Sequence, residues 1–169
     1  NVFAVNGCDP LQNFSIKMKH TNVEEITAWE YEGFTDVYSN ALYVPVPGWN
    51  LHEFSNPFVW NGGSNILIDF CFNNMTYSEN ASVYYSTTPK VQDISYWNDG
   101  DPNVCNAPGV SGLLTTRPNI KLNMEFQDFK PPMLTYPAHR QLGIPQQPNF
   151  QWQPVDGAVS YELVISLMD

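Results

Sequence analysis

The sequence predicts an all-β fold of antiparallel strands, and three observations carry that expectation. Helical periodicity is nearly absent; the one exception is Asn22 to Trp29 (NVEEITAW), which suits a short helical turn or a loop. Apolar and polar side chains alternate every second residue in several runs, the period of a strand with one wet face. Clusters of Gly, Pro, Asn and Asp punctuate those runs at short spacing.

The first clear run sets Phe14, Ile16, Met18 and His20 against Ser15, Lys17 and Lys19. Further strands are expected at Asp36 to Val44, Trp49 to Phe54, Ser64 to Phe72, Ala81 to Thr87 and Asn119 to Phe126. Turns are expected at Pro45 to Gly48, Asn61 to Ser64, Asn73 to Asn74, Asp99 to Pro102 and Pro108 to Gly112. Gly62 and Gly63 read as a hairpin turn, because Asn-Gly favours positive φ. They do not read as a phosphate loop, since no helix and no Lys follow. Trp49 and Trp60 read as core or inter-sheet packing, with sugar stacking as the alternative. Short strands at this spacing predict an antiparallel, jelly-roll-like β-sandwich over residues 1–127.

The composition changes at Asp128 to Pro132 (DFKPP), where two consecutive prolines cannot continue a central strand, so residues 128–132 are expected to be a linker. Residues 133–169 then predict a Pro-marked edge strand, a strand around Phe150 and Trp152, and a turn at Val155 to Gly157. A third strand is expected from Ala158 to Leu167, where Val159, Tyr161, Leu163, Ile165 and Leu167 alternate with smaller or polar residues. Three strands do not close a sandwich, which takes about seven. This second domain is therefore expected to be partial.

The 169 residues carry a formal charge of −10 with only 7 Lys and Arg, which argues against nucleic acid and anionic membrane surfaces. Charged residues make up 14 %, so solubility rests on Asn, Gln, Ser and Thr as well as on the net charge. No apolar run approaches the roughly 18 residues of a membrane-spanning helix, so no membrane insertion is expected. The opening NVFAVNGC lacks the basic and apolar regions of a signal peptide, so an exported chain would be a mature form or an internal piece.

Three cysteines leave an odd one. Cys71 ends an apolar strand and Cys105 lies in an Asp/Asn/Pro/Gly loop; these two are expected to pair, closing a loop of about 35 residues worth roughly 3–4 kcal/mol. Cys8 is expected either to pair upstream of this chain or to be a free thiol.

The histidines are His20, His52 and His139, and no GxSxG elbow is present. His52-Glu53 lacks the second His that a zincin places at i+4. Glu24, Glu25, Glu30 and Glu32 read as a solvated face rather than a glycosidase pair, and Asp69 as facing solvent or a polar seam. No catalytic residues are assigned, and no enzyme activity is expected of this chain. Asp99, Asp101 and Asn103 place oxygen ligands at every second position and are the candidate Ca²⁺ ligands, the one cofactor considered. The competing reading is an Asx-turn loop held by Cys105. Trp97 is the candidate ligand-contact aromatic.

Trp152, Pro154, Gly157-Ala158 and Ser160-Tyr161, followed by alternating apolar residues, resemble the first half of a fibronectin type III domain, an immunoglobulin-like sandwich. FSIKMKHT (Phe14 to Thr21), GWNLHEFSNPFVWNGGSNILIDFCFNN (Gly48 to Asn74), VYYSTT (Val83 to Thr88), DGDPNVC (Asp99 to Cys105) and RPNIKLNM (Arg117 to Met124) resemble a module of large secreted and cell-surface proteins of the Bacteroidetes. That family commonly has Asp at the position of Asn61 and often Glu at that of Asp69. The resemblance implies an extracellular location and cargo of the type IX secretion system, with the secretion and outer-membrane attachment machinery as partners. It further implies adhesion to surface glycans or proteins, or presentation of other domains, with a possible link to gliding motility. It implies no catalytic residues. The alternative is an accessory or carbohydrate-binding domain of a secreted protease or polysaccharide hydrolase.

Overall fold

A computed structural model of the protein describes residues 1–101, 103–106, 108–125, 131–158 and 160–164. The described residues contain no helix and are organised in small antiparallel sheets, so the fold is all-β. No helix among them is long and apolar enough to cross a membrane. Two compact units divide the chain, Asn1–Lys121 and Leu122–Asp169.

The first unit is built on a three-stranded sheet in which β2 (Leu11–Thr21) lies between β3 (Thr35–Tyr43) and β4 (Asn65–Cys71). The alternation in β2 becomes a buried row: Phe14, Ile16 and Met18 are 6 %, 3 % and 2 % exposed. Opposite them β4 contributes Ile68, paired with Met18, and Ile66, paired with His20. The β2–β3 register slips between Ile16 and Lys17, which pair with Tyr38 and Asp36. The slip leaves Val37 as the extra residue of a bulge and turns it into the core, where it is fully buried. Beyond Cys71 the chain still matches β2, by side chain as well as backbone. Asn73 N donates to Gln12 O, while Asn74 accepts from Gln12 N and donates to Pro10 O.

Trp49 to Phe54 is not a strand. Only Gly48 makes a bridge, to Val2, and the rest of 49–60 runs as a loop over the Phe14 face. The Asn50 side chain folds back on the turn that precedes this loop. Its carboxamide accepts from Val46 N (3.0 Å) and the Tyr43 hydroxyl (2.5 Å), and donates to Val46 O (2.7 Å) and Gly48 O (3.0 Å). A side chain thus holds the 46–48 turn and fixes where the chain enters the loop. Phe54 and Phe58 then pack onto the core, and Ser55 N reaches Val37 O at 3.0 Å. Asn50→Ala is expected to cost about 1–3 kcal/mol, the penalty for unpaired polar groups, measured by urea unfolding. An effect within experimental error would remove Asn50 from this role.

The remaining pairs of the first unit join distant stretches: β1 (Val2–Ala4) with β5 (Ser82–Val83), β6 (Tyr85–Thr87) with β9 (Thr116–Pro118), and β7 (Asp93–Ser95) with β8 (Gly112–Leu114). The expected strand at Ala81 to Thr87 is split at Tyr84, whose N–H donates to Asn1 O and whose carbonyl accepts from Asn119 N. Residues 119–125 form no strand, and Phe126 lies outside the described residues. Asn22 to Trp29 is a loop, not a helical turn. Its backbone is used by distant partners: Asn65 Nδ2 donates to Val23 O, Ile26 N to Val91 O, and Gln92 Nε2 to Glu24 O.

In the second unit β10 (Leu134–Tyr136) pairs with β11 (Gln151–Trp152). The expected turn forms, with Ala158 N donating to Val155 O and Gly157 at φ 79°. Trp152 and Tyr161 rings lie 5.5 Å apart, and the Tyr161 hydroxyl accepts from Val155 N at 2.7 Å. Ala158 and residues 160–164 are not in a strand; Val159 and 165–167 of that expected strand, and 128–130 of the expected linker, lie outside the described residues. A strand persists through its ladder, and the Tyr161 hydroxyl bond ties this stretch back onto its own turn instead.

Candidate functional site

Cys71 closes β4 and is bonded to Cys105, with their Cα atoms 5.7 Å apart. Cys8 is a free cysteine, half-buried. The disulfide draws the long β7–β8 connection to the end of the central sheet. That connection is also held from the other side, by Trp29 Nε1 donating to Gly109 O and the Tyr31 hydroxyl donating to Pro108 O at 3.2 Å. Tyr96 folds down against Gly109, where a Cβ would lie 2.9 Å from the ring, so only glycine permits this contact. Its neighbour Trp97 points the other way, with its backbone N–H on Ser111 Oγ at 3.2 Å, and is 65 % exposed.

The loop after Trp97 is a chain of turns. Asp101 Oδ1 accepts from Asn103 N at 2.8 Å, an Asx turn, and Asn106 N donates to Asn103 O at 2.8 Å. One oxygen of the candidate calcium set is therefore engaged by the loop's own backbone. Among the described residues no group of three His, Cys, Asp or Glu side chains converges as a metal site, and Pro102 of this loop is outside them.

Tyr77 joins this region, and sequence reasoning missed it. It is 67 % exposed and donates to Glu79 Oε1 at 3.3 Å. The Glu79 charge and that hydrogen bond raise the phenol above its usual value, and Asp99 adds to the same direction. The Asp99 charge thus acts on Tyr77 although 22 residues separate the two in the chain. The signal available was the Cys71–Cys105 pair, which ties the stretch after β4 to the Asp99–Asn103 loop. Trp97 and Tyr77 are both exposed, with Asp99 and Glu79 two residues away from them in the chain.

Trp49 and Trp60 are not core; they are 49 % and 45 % exposed. Lys121 Nζ sits 4.2 Å above the Trp49 ring. Trp60 Nε1 donates to Ser64 O at 2.7 Å and clamps the Asn61–Ser64 turn, where Asn61 Oδ1 accepts from Gly63 N and Ser64 N and Gly62 takes φ 75°. With 49–60 in a loop there is no strand face to turn these indoles inward.

Several of the remaining candidates for chemistry are engaged structurally. His20 Nε2 accepts from Asn61 N at 3.2 Å, and its ring lies 4.8 Å from Phe58. Glu24 pairs with Lys90 at 2.7 Å, and that lysine holds the carboxyl below its usual value. Glu30 pairs with Lys19, whose Nζ also donates to Glu32 O. Asp69 is partly buried, and burial raises its carboxyl above the usual value while Lys17 opposes the shift. His139 is exposed in the second unit.

No protein-family model matches the chain, and no curated protein and no solved structure matches it.

Proposed function

We propose that this chain is a non-catalytic extracellular module of a large, type IX-secreted bacterial cell-surface protein, working in adhesion or in presenting neighbouring domains. In this reading the first unit is a jelly-roll-like sandwich and the second begins a fibronectin type III domain. The observation that carries the reading is the Cys71–Cys105 disulfide, which forms and persists in oxidising compartments. The exposed Trp97 and Tyr77 support a binding role, because an aromatic ring offers large contact area at low entropic cost. Surface biotinylation and protease shaving of the source cells test it. The chain is expected in the shaved fraction with Cys71 and Cys105 oxidised; recovery from the cytosol with both thiols reduced would sink the idea.

A carbohydrate-binding role, as an accessory domain of a secreted hydrolase or protease, is the second reading. It is favoured by Trp97 standing exposed beside a loop rich in Asp and Asn. On a glycan array, Trp97→Ala is expected to weaken binding about tenfold, equivalent to about 1.4 kcal/mol. Wild-type protein that binds no glycan, or a variant that binds as well, would count against this reading.

A further inference from the structure

His52 is a partly buried titratable group with no part in the surface described above. It belongs to the loop laid over the Phe14 face. Its ring lies among Phe14 of β2 (5.4 Å between centroids) and Tyr38 and Tyr43 of β3 (4.9 and 5.0 Å). Its Nδ1 is buried and has no hydrogen-bond partner. Polar anchorage of the adjoining loop to β3 is slight: Ser55 N and Oγ to Val37 O at 3.0 and 3.4 Å, and Asn56 Nδ2 to Asp36 O at 3.3 Å.

We propose that His52 is a proton-operated latch, which holds the 51–59 loop on the sheet when neutral and releases it when protonated, uncovering the aromatic face of Phe14, Tyr38 and Tyr43. In neutral imidazole Nδ1 can be a bare acceptor, which is tolerable. Protonation makes it a donor carrying positive charge, aimed at no acceptor. The ring faces attract a cation and offset part of this, but they leave the Nδ1–H unpaired. Burial holds the imidazole below its ordinary value, and the amino group of Asn1 acts in the same direction. Burial is the larger cause, so the direction holds without the amino group.

The side chains facing the ring from β2 and β3 are aromatic. Phe14 of β2 brings no titratable group. Tyr38 and Tyr43 of β3 bring phenols, and burial, then Tyr38, holds Tyr43 above its usual value. Glu53 is the neighbour on the loop itself, and no carboxylate is among the charges shifting the ring. Because the folded imidazole is depressed, loop closure is complete above its free value of about 6.5. It weakens as pH falls from there through the folded value. Asp69 of β4 and Asp93 of β7 are held above their usual values, chiefly by burial, and act oppositely. Their contribution is fullest in acid and is lost as pH rises, opposite in sign to that of His52.

Hydrogen exchange at pH 7.5 and pH 5, corrected for intrinsic rates, tests the latch. Protection across 51–59 is expected to fall about tenfold in acid, while β2 peptides keep theirs. His52→Phe, which keeps a ring in the aromatic cage, is expected to retain loop protection at both pH values. Unchanged wild-type protection, or the same acid loss in His52→Phe, would overturn the proposal. Should the variant not fold, the wild-type His52 Cε1–H resonance decides: titration at or above about 6.5 overturns it, and a lower midpoint accompanied by loop exchange supports it.

Discussion

Phe14→Ala is expected to lower the unfolding free energy by about 3–5 kcal/mol, the usual cost of deleting a buried Phe ring. Phe14 is 6 % exposed and sits at the centre of the ring cluster. It stacks on Tyr43 at 4.7 Å, meets Tyr38 edge-on at 6.0 Å and touches His52 at 5.4 Å. Those neighbours are anchored in β3 and in the Asn50-held loop, so they cannot all collapse into the space left. The buried cluster of Phe14, Ile16, Met18 and Val37 is small, and domains of this size carry only about 5–15 kcal/mol of stability. The variant is therefore expected to be partly unfolded at physiological temperature. Urea unfolding followed by far-ultraviolet circular dichroism measures the loss, and a value under about 1 kcal/mol would mean that this cluster does not hold the sheet together.

The second large effect is expected from the disulfide. Cys71→Ser with Cys105→Ser should cost about 3–4 kcal/mol, because the bond closes a loop with a sequence separation of 34. The double variant is the informative one, since a single change leaves a new thiol that can pair with Cys8. Unfolding of wild-type protein with and without reductant should give a difference of the same size. Thiol titration under denaturing conditions should count one free sulfhydryl before reduction, from Cys8, and three after it. A smaller loss would point to structure retained in the unfolded chain. Equal thiol counts before and after reduction would remove the bond itself. The loss should be felt first at the Trp97 loop, which the disulfide ties to β4.

Some of this architecture was legible and some was not, for different reasons. The row of Phe14, Ile16 and Met18 announced β2, because a strand with one buried face must repeat every second residue. The Asn61–Ser64 turn announced itself through Asn-Gly, although it joins a loop to β4 and not two paired strands, so the expected hairpin does not form. By contrast, β1, β7, β8 and β9 are three residues long and exist only through partners far along the chain, so no periodicity could betray them. The failed strand at Trp49 to Phe54 had a plausible pattern, but among the described residues no strand pairs with it, and it lies over the core as a loop. That reversal also moved Trp49 and Trp60 from the expected core to the surface. Of the surface around Trp97, the tryptophan and the disulfide were visible beforehand. Tyr77 was not, because the Asp99 charge acts on it only in the fold.

By itself the sequence determined the all-β class, the central strands, the turn chemistry and the Cys71–Cys105 pair, all of which follow from short-range alternation, residue type or the contrast between an apolar strand and a polar loop. Only the tertiary structure decided which apolar stretch lies over the sheet as a loop, which indoles stay in solvent, and that His52 is enclosed by aromatic rings with Nδ1 unpaired. Those outcomes depend on contacts between segments far apart in the chain, such as Ser55 with Val37 and His52 with Phe14, which exist only once the segments meet.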